Sequence, residues 1–273
     1  MSKLFIMAGT KGGIGKSLAA SLLADVALDC KYRPVLFDCD DENRSLSNFY
    51  DEQNPDYIIK NVDMRQQGRL EFPLDTVVNG IVKIQKNKKR YPGENAFILD
   101  MKAGTSSGTM VWLKSFPFLL LKEIGIETCI VGVVTSELDS SKTLIPWLLA
   151  YLKTEMQSLV RMFIVKNEVA GQDFSYFDEK IKTIFAVAGI QCDISTLHDW
   201  GTKYQLLLPA NKCSYGMIAT GRTKEIEALG FMDEYRIKHY YSEVRVEFRK
   251  LFDNEGNTQT VSPKKDKKAE NGG

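Results

Sequence analysis

One stretch near the N-terminus decides the fold: Gly9-Thr10-Lys11-Gly12-Gly13-Ile14-Gly15-Lys16-Ser17. It follows a short apolar run, Leu4-Phe5-Ile6-Met7, and it precedes an amphipathic segment that starts near Ser17. A glycine-rich turn between a strand and a helix directs backbone N–H groups into one concavity, and the helix adds the positive end of its dipole. Lys16 can reach the phosphates of a nucleotide, and the Ser17 hydroxyl can bind Mg²⁺.

The stretch therefore predicts a phosphate-binding loop. Its expected ligands to the nucleotide are listed here in chain order: Gly12, Gly13, Ile14, Gly15, Lys16 and Ser17. Thr10 stands where the usual G-x-x-x-x-G-K-[ST] pattern has glycine. The alternative is an incidental glycine turn, which the neighbouring strand, helix and Gly-Lys-Ser sequence disfavour.

A second lysine lies inside the loop, and Lys11-Gly12-Gly13-Ile14-Gly15-Lys16-Ser17 resembles the K-G-G-x-G-K-[ST] motif of the ParA/MinD family of deviant Walker A ATPases. The resemblance implies an ATP-bound homodimer in which Lys11 reaches the phosphates of the partner's nucleotide. It also implies slow, Mg²⁺-dependent hydrolysis of ATP, with Lys11 and Lys16 among the catalytic residues. The small ParA-like proteins of plasmid partition or conjugation are the most similar in character. A solvated lysine that neutralises phosphate within its own chain is the alternative for Lys11.

Carboxylates follow two buried strands, where ligands of α/β sheets bind. The segment Asp38-Cys39-Asp40-Asp41-Glu42-Asn43 resembles the family's D-x-D sequence at switch I. The resemblance implies that Asp40 positions the attacking water and that Asp38 supports the metal shell. Asp41-Glu42 replaces the proline and glutamine that are common in ParA relatives. A solvated acidic turn is the alternative.

The second carboxylate segment, Asp100-Met101-Lys102-Ala103-Gly104, resembles the Walker B aspartate and switch II. By that resemblance Asp100 holds Mg²⁺ through a water, and the N–H of Gly104 approaches the γ-phosphate. Lys102 departs from the proline-containing sequence that is usual there. Alternatively, Asp100 simply caps the turn after its strand.

Two later segments resemble the family's base-binding part. Asn167 ends the run Phe163-Ile164-Val165-Lys166, and its amide could read the edge of adenine. Pro209 follows Leu206-Leu207-Leu208 and resembles a loop that packs on the base. A strand-end asparagine could also suit guanine.

Short apolar runs alternate with longer amphipathic segments, which predicts an α/β fold: a mostly parallel central sheet with helices on both faces. We expect one P-loop domain over residues 1–253 and a disordered polar tail over 254–273. Expected strands centre on residues 4–7, 35–37, 57–59, 96–99, 130–134, 162–165 and, last, 206–208. Expected helices cover 74–85, 110–124 with a break at Pro117, 144–156 with Pro146 in its first turn, 216–229 and 235–252.

A net charge of +1 gives no global attraction to nucleic acid. The cluster of Lys83, Lys86, Lys88, Lys89 and Arg90 is either a basic helix end or a patch for non-specific DNA binding.

The absence of a signal peptide or spanning segment predicts a cytoplasmic protein. The apolar stripe of the last helix predicts a helix docked on the core rather than a membrane anchor.

The family resemblance implies a protein adaptor as a partner. Two other functions stay open. One is a metabolic or metal-cluster enzyme on the same fold, which the five scattered cysteines without CxxC disfavour. The other is a binding module that holds nucleotide with little turnover, because Lys102 and Asp41-Glu42 change the switch segments.

Overall fold

The computed structural model describes residues 1–253 except 10, 65–72, 105–108, 110, 114, 153–157, 189–191, 200–201 and 224–225. The unusual Thr10, Trp200 and the expected tail over 254–273 therefore lie outside the described residues. In the described chain, seven strands form one sheet in the order β3-β2-β4-β1-β5-β6-β7. The strands are β1 Ser2–Ala8, β2 Arg33–Asp38, β3 Ile58–Asn61, β4 Asn95–Asp100, β5 Ile126–Val134, β6 Val160–Asn167 and β7 Asp193–Leu197.

Every paired strand runs parallel to its neighbour. The helices are α1 Lys16–Asp29, α2 Pro73–Lys86, α3 Phe118–Glu123, α4 Leu138–Leu152, α5 Ser175–Ala188, α6 Thr202–Ala210, α7 Tyr215–Ala219 and α8 Phe231–Arg249. Short 3₁₀ turns cover Ser47–Phe49 and Glu168–Ala170.

Helices cover both faces of the sheet, which explains why the central strands are almost continuously apolar. Alternate residues of β1 face opposite sides: Phe5 and Met7 join one core cluster, and Leu4 and Ile6 join the other. The first cluster contains the buried apolar residues of α1, α6, α7 and α8, and the second those of α2, α3, α4 and α5. The predicted fold class is therefore confirmed.

The last helix packs on the core, as its apolar stripe predicted. Ile237, Tyr241, Val244, Phe248 and Leu251 are all buried. Trp112 and Trp147 are buried as well, so these two tryptophans belong to the core as expected.

The predicted last strand at 206–208 is wrong. Those leucines lie in α6, where Leu206 is 69% exposed and Leu208 is fully buried, as one face of a helix requires. The seventh strand is β7, Asp193–Leu197. It lies at the edge of the sheet with Asp193 and Ile194 exposed, so it lacks the long apolar run that marked the inner strands.

Prolines and helix bounds account for the other corrections. Pro146 lies in the middle of α4, because that helix begins at Leu138, six residues before the predicted start at 144. Pro117 does break the predicted helix over 110–124, since it caps the N-terminus of the short α3. The expected helix 216–229 shrinks to α7, Tyr215–Ala219, and the last helix begins at Phe231 rather than at 235.

The strand order creates the crevice in which a ligand can bind. β1 lies between β4 and β5, so β2, β3 and β4 lie on one side of β1 and β5, β6 and β7 lie on the other. Ligands of open parallel sheets bind beyond the carboxyl ends of strands at such a switch point. Asp100 is in register with Met7 on one side and with Asp38 on the other.

Candidate nucleotide site

The glycine-rich loop joins β1 to α1 with a backbone that only glycine adopts easily. Gly9, Gly13 and Gly15 have φ of +125°, +74° and +89°, and Gly15 is the N-cap of α1. A Cβ on Gly15 would lie 2.2 Å from the Asn167 side-chain nitrogen. The loop therefore lies tightly against the end of β6, and α1 directs its first N–H groups towards the crevice.

Lys16 is the first residue of α1, and it is 7% exposed. Its Nζ donates to the carbonyl of Lys11 at 3.1 Å, so its side chain folds back over the loop. Burial lowers the pKa of Lys16, and the charges of Asp100 and Asp40 oppose that change. The lysine and the two aspartates singled out in the sequence are therefore close enough to influence one another.

Asp100 ends β4 and is buried with unsatisfied oxygen atoms. It is 1% exposed, and neither carboxylate oxygen has a hydrogen bond of normal geometry among the described residues. Burial raises the pKa of Asp100 to about 7, and the charge of Asp38 adds to the rise. The nearby Ser17 hydroxyl and the charge of Lys16 partly oppose it. A buried carboxylate beside a serine hydroxyl fits Mg²⁺, which takes oxygen ligands.

Asp38 shapes the loop after β2. It is fully buried, and its two oxygens accept the N–H groups of Asp40 at 3.0 Å and Ser47 at 2.8 Å. Both oxygens of Asp38 thus accept hydrogen bonds that hold the loop after β2 in its conformation. Its predicted support of the metal shell stays a prediction.

Asp40 anchors a turn in the same loop. It accepts the N–H of Asn43 at 3.1 Å and of Glu42 at 3.3 Å, and the Ser45 hydroxyl at 3.2 Å. Partial burial acts to raise the pKa of Asp40, but the hydrogen bonds from Asn43, Glu42 and Ser45 outweigh it and hold the pKa below its usual range. Asp40 is therefore ionised and ordered at the mouth of the crevice. Its predicted role in placing the water stays a prediction.

Lys11 contacts a residue that the sequence reasoning missed. Its Nζ donates to Glu137 Oε2 at 2.6 Å, and the Lys11 side chain is 31% exposed. The hydrogen bond and charge of Lys11 hold the pKa of Glu137 below its usual value. Glu137 follows β5, and the rule that pointed to Asp40 and Asp100 after their strands could have found it.

Asn167 holds the phosphate loop in place. It is 3% exposed, its Nδ2 donates to the carbonyl of Ile14 at 3.0 Å, and its Oδ1 accepts the N–H of Val169 at 3.3 Å. Both ends of the amide thus have partners within the protein. Its predicted reading of adenine requires an exchange of these hydrogen bonds and stays a prediction.

Pro209 lies inside α6 and not in a loop after a strand, so that structural expectation is wrong. The helical pattern of the leucines before it explains the difference. Gly104 has φ +79°, which glycine adopts easily, and a Cβ on Gly12 would lie 3.8 Å from the Cβ of Ala103. The loop after β4 therefore lies beside the glycine-rich loop, and the predicted approach of the Gly104 N–H to the γ-phosphate stays a prediction.

No group of three or more His, Cys, Asp or Glu side chains within the described chain could hold a metal ion. None of the helices described is long and apolar enough to cross a membrane.

Comparison with solved structures finds the same fold in MinD, in a protein assigned to plasmid partition and in McdA, among others. The MinC:MinD cell division protein complex of Aquifex aeolicus is similar over 92% of this chain and 96% of that chain, with a TM-score of 0.55 and 9% identity. A protein assigned to plasmid partition from Borrelia burgdorferi, bound to AMPPNP, matches over 93% and 100%, with a TM-score of 0.51 and 14% identity. Apo McdA of Cyanothece matches over 90% and 99%, with a TM-score of 0.51 and 14% identity.

No protein-family model matches the sequence, and no curated protein matches it. The fold and the crevice nevertheless define the class: a P-loop α/β protein with a seven-stranded parallel sheet. Within that class, the chain has the fold of the MinD, ParA-like and McdA proteins, so the resemblance predicted from the phosphate loop is confirmed at the level of the fold.

Proposed function

We propose that this protein is an ATP-dependent dimerisation switch that positions or segregates a cargo, such as plasmid DNA or a protein complex, and hydrolyses ATP slowly. The observation that carries the proposal is the fully buried carboxylate of Asp100 beside the Ser17 hydroxyl and the charge of Lys16. Burying a carboxylate costs stability, and a bound Mg²⁺ would relieve that cost. We therefore assign Mg²⁺ to Ser17 and Asp100, and the phosphates to the loop around Lys16.

The fold neighbours support a role in positioning. They include MinD in complex with MinC, a partition protein bound to AMPPNP, and McdA. By analogy with these proteins, we propose ATP as the nucleotide, a protein adaptor as partner and a cytoplasmic location. The exposed basic residues at the end of α2 are the candidate DNA contact.

Lys11 supports the dimeric part of the proposal. It lies at the rim of the crevice with a single salt bridge described, to the half-exposed Glu137. An exposed pair of this kind is weak, so Lys11 can exchange Glu137 for the phosphates of a second subunit's nucleotide at low cost. The added positive charge would stabilise the negative charge that develops during phosphoryl transfer.

Steady-state hydrolysis at increasing protein concentration tests this function. We expect activity per molecule to rise with concentration for the wild type and to stay flat and low for Lys11→Ala, which still binds nucleotide. Lys16→Ala should lose nucleotide binding itself. Lys180→Ala, which removes an exposed lysine on α5, is the matched control and should behave as wild type. Wild-type turnover no higher than that of Lys16→Ala would contradict the ATPase assignment.

A module that binds nucleotide with little turnover is the second candidate. It is favoured by Asp40, whose carboxylate already accepts several hydrogen bonds within its own loop. Such a module would bind ATP with Mg²⁺ and show no rise in turnover with concentration. The same concentration series distinguishes the two functions.

A further inference from the structure

Two departures from the family's sequence pattern contact each other. Asp41 and Glu42 change switch I after β2, and Lys102 changes switch II after β4. In the structure, Lys102 Nζ donates to Asp41 Oδ1 at 2.6 Å and to Glu42 Oε1 at 2.8 Å. The unusual residues of one loop are thus the partners of the unusual residue of the other.

The two ion pairs differ in burial. The side chain of Asp41 is 2% exposed, that of Lys102 is 20% exposed and that of Glu42 is 73% exposed. Hydrogen bonds from Lys102 to Asp41 and to Glu42 raise the pKa of the lysine to about 12. A charge pair with one buried member is screened less than a surface pair. The pair with Asp41 is therefore the stronger of the two.

Hydrogen bonds also hold switch I to its surroundings and to the end of β4. Within switch I, Asp38 and Asp40 accept backbone N–H groups, and Arg44 donates to the carbonyl of Val62 at 3.5 Å. Between the loops, the N–H of Cys39 donates to the carbonyl of Asp100 at 3.0 Å, at the point where β2 and β4 end. Lys102 adds a side-chain connection beyond that point, where the loops diverge from the sheet.

We infer that Lys102, Asp41 and Glu42 form an ionic clasp that holds switch I against switch II, so that the two loops move as one unit at the mouth of the crevice. Lys102 is on this account a positioning residue, because its charge is directed to two carboxylates rather than to a phosphate. The clasp keeps the turn of Asp40 beside the phosphate loop before any nucleotide binds.

Amide hydrogen exchange of the nucleotide-free protein tests the clasp directly. Removing Lys102 leaves the buried carboxylate of Asp41 without this cation, which favours opening of the loop. We expect Lys102→Ala to speed exchange in residues 41–48 by about 5- to 30-fold. Asp41→Asn should have a similar effect, and Glu42→Gln a smaller one because Glu42 is mostly exposed.

Matched controls separate the clasp from general destabilisation. Lys102→Arg keeps the charge and should retain slow exchange in 41–48. Lys142→Ala removes a lysine that pairs with Asp139 in α4, and it should leave that segment unchanged. Exchange in α8 should be the same in all variants, since it reports on the core. Unchanged exchange of 41–48 in Lys102→Ala would overturn the clasp.

The role of the clasp in turnover rests on the proposed function, and a second readout keeps the two claims apart. In a protein that hydrolyses ATP, we expect Lys102→Ala to lower kcat by about 5-fold or more with KM within about 2-fold of wild type, and Lys102→Arg to restore kcat. Faster exchange in Lys102→Ala, together with a wild type that does not hydrolyse ATP, would support the clasp and refute the ATPase. If the wild type hydrolyses ATP and Lys102→Ala has the same amide exchange and the same kcat, the clasp would be refuted and the ATPase function would not.

Discussion

Replacing Asp100 with asparagine should make the empty protein more stable while it destroys Mg²⁺-dependent nucleotide binding. Asp100 is buried, neither of its oxygens has a normal hydrogen bond within the described residues, and burial raises its pKa from 3.8 to about 7. At about 1.36 kcal/mol per pKa unit, that rise corresponds to about 4 kcal/mol. A buried amide with incomplete hydrogen bonding costs about 1–3 kcal/mol. The expected net gain of Asp100→Asn at pH 8 is therefore about 1–3 kcal/mol.

The sign of the pH dependence follows from the direction of the pKa shift. A carboxyl whose pKa is raised in the folded state binds more protons there than in the unfolded chain, so its contribution to stability is full below 3.8 and is lost as pH rises through about 7. The gain in unfolding free energy of Asp100→Asn over the wild type should therefore be small at about pH 4, increase between about pH 4 and about pH 7, and stay constant above about pH 7. Urea unfolding followed by the fluorescence of the buried Trp112 and Trp147 measures it.

Asp56→Asn, at an exposed position, is the control and should show no such growth with pH. With Mg²⁺ and ATP added, the wild type should gain stability and Asp100→Asn should not. The reasoning is refuted if Asp100→Asn destabilises the empty protein by the same amount at about pH 5 and pH 8. That result would mean that Asp100 acts as an ordinary structural carboxylate.

Two further changes test other parts of the structure. Gly15→Ala places a Cβ 2.2 Å from the Asn167 nitrogen at φ +89°, so nucleotide binding, measured by titration with a fluorescent ATP analogue, should be lost. Gly93→Ala at φ +85° has open space, and it should cost only the backbone strain of about 1–2 kcal/mol and leave binding intact; equal effects of the two changes would contradict the packing argument. Asp25 is fully buried, and burial raises its pKa from 3.8 to about 6. Asp25 should account for up to about 3 kcal/mol of the unfolding free energy that the wild type loses as pH rises from 3.8 to about 6. Asp25→Asn should lack that part of the slope and keep the part that comes from Asp100, and an unchanged slope would show that Asp25 does not titrate there.

The sequence predicts the parts of the fold whose signal is local. The inner strands β1, β2, β4, β5 and β6 are apolar runs because helices cover both faces, and each was expected near its observed position. The edge strand β7 was missed because one side of it is exposed, so its pattern is short and mixed. The sequence predicts a strand at the leucines of α6 because three adjacent apolar residues do not reveal whether a helix or a strand buries them.

The candidate site also contains residues that local sequence identifies and contacts that it does not. The sequence predicts that the glycine-rich loop, Asp40 and Asp100 lie close together because each follows a buried strand, and the structure places them at that edge of the sheet. Their roles stay predictions. The pairing of Lys11 with Glu137 joins residues far apart in sequence, and only the adjacency of β1 and β5 brings them together. The contact between Lys102 and Asp41 likewise depends on β2 lying next to β4. Local sequence patterns identify Lys11 and Lys102 as unusual, but which residues they contact depends on the order of the strands in the sheet.

The central claim is that ATP drives dimerisation, and light scattering tests it most directly. The solution mass of the wild type should be measured with AMPPNP and with ADP, Mg²⁺ present in both, and that of Asp40→Ala with ATP and with ADP. The account predicts a dimer with AMPPNP or ATP and a monomer with ADP, and it predicts that Lys11→Ala lowers the dimer fraction. A monomer in every condition, with nucleotide binding intact, would contradict the dimerisation switch and leave only a P-loop nucleotide binder.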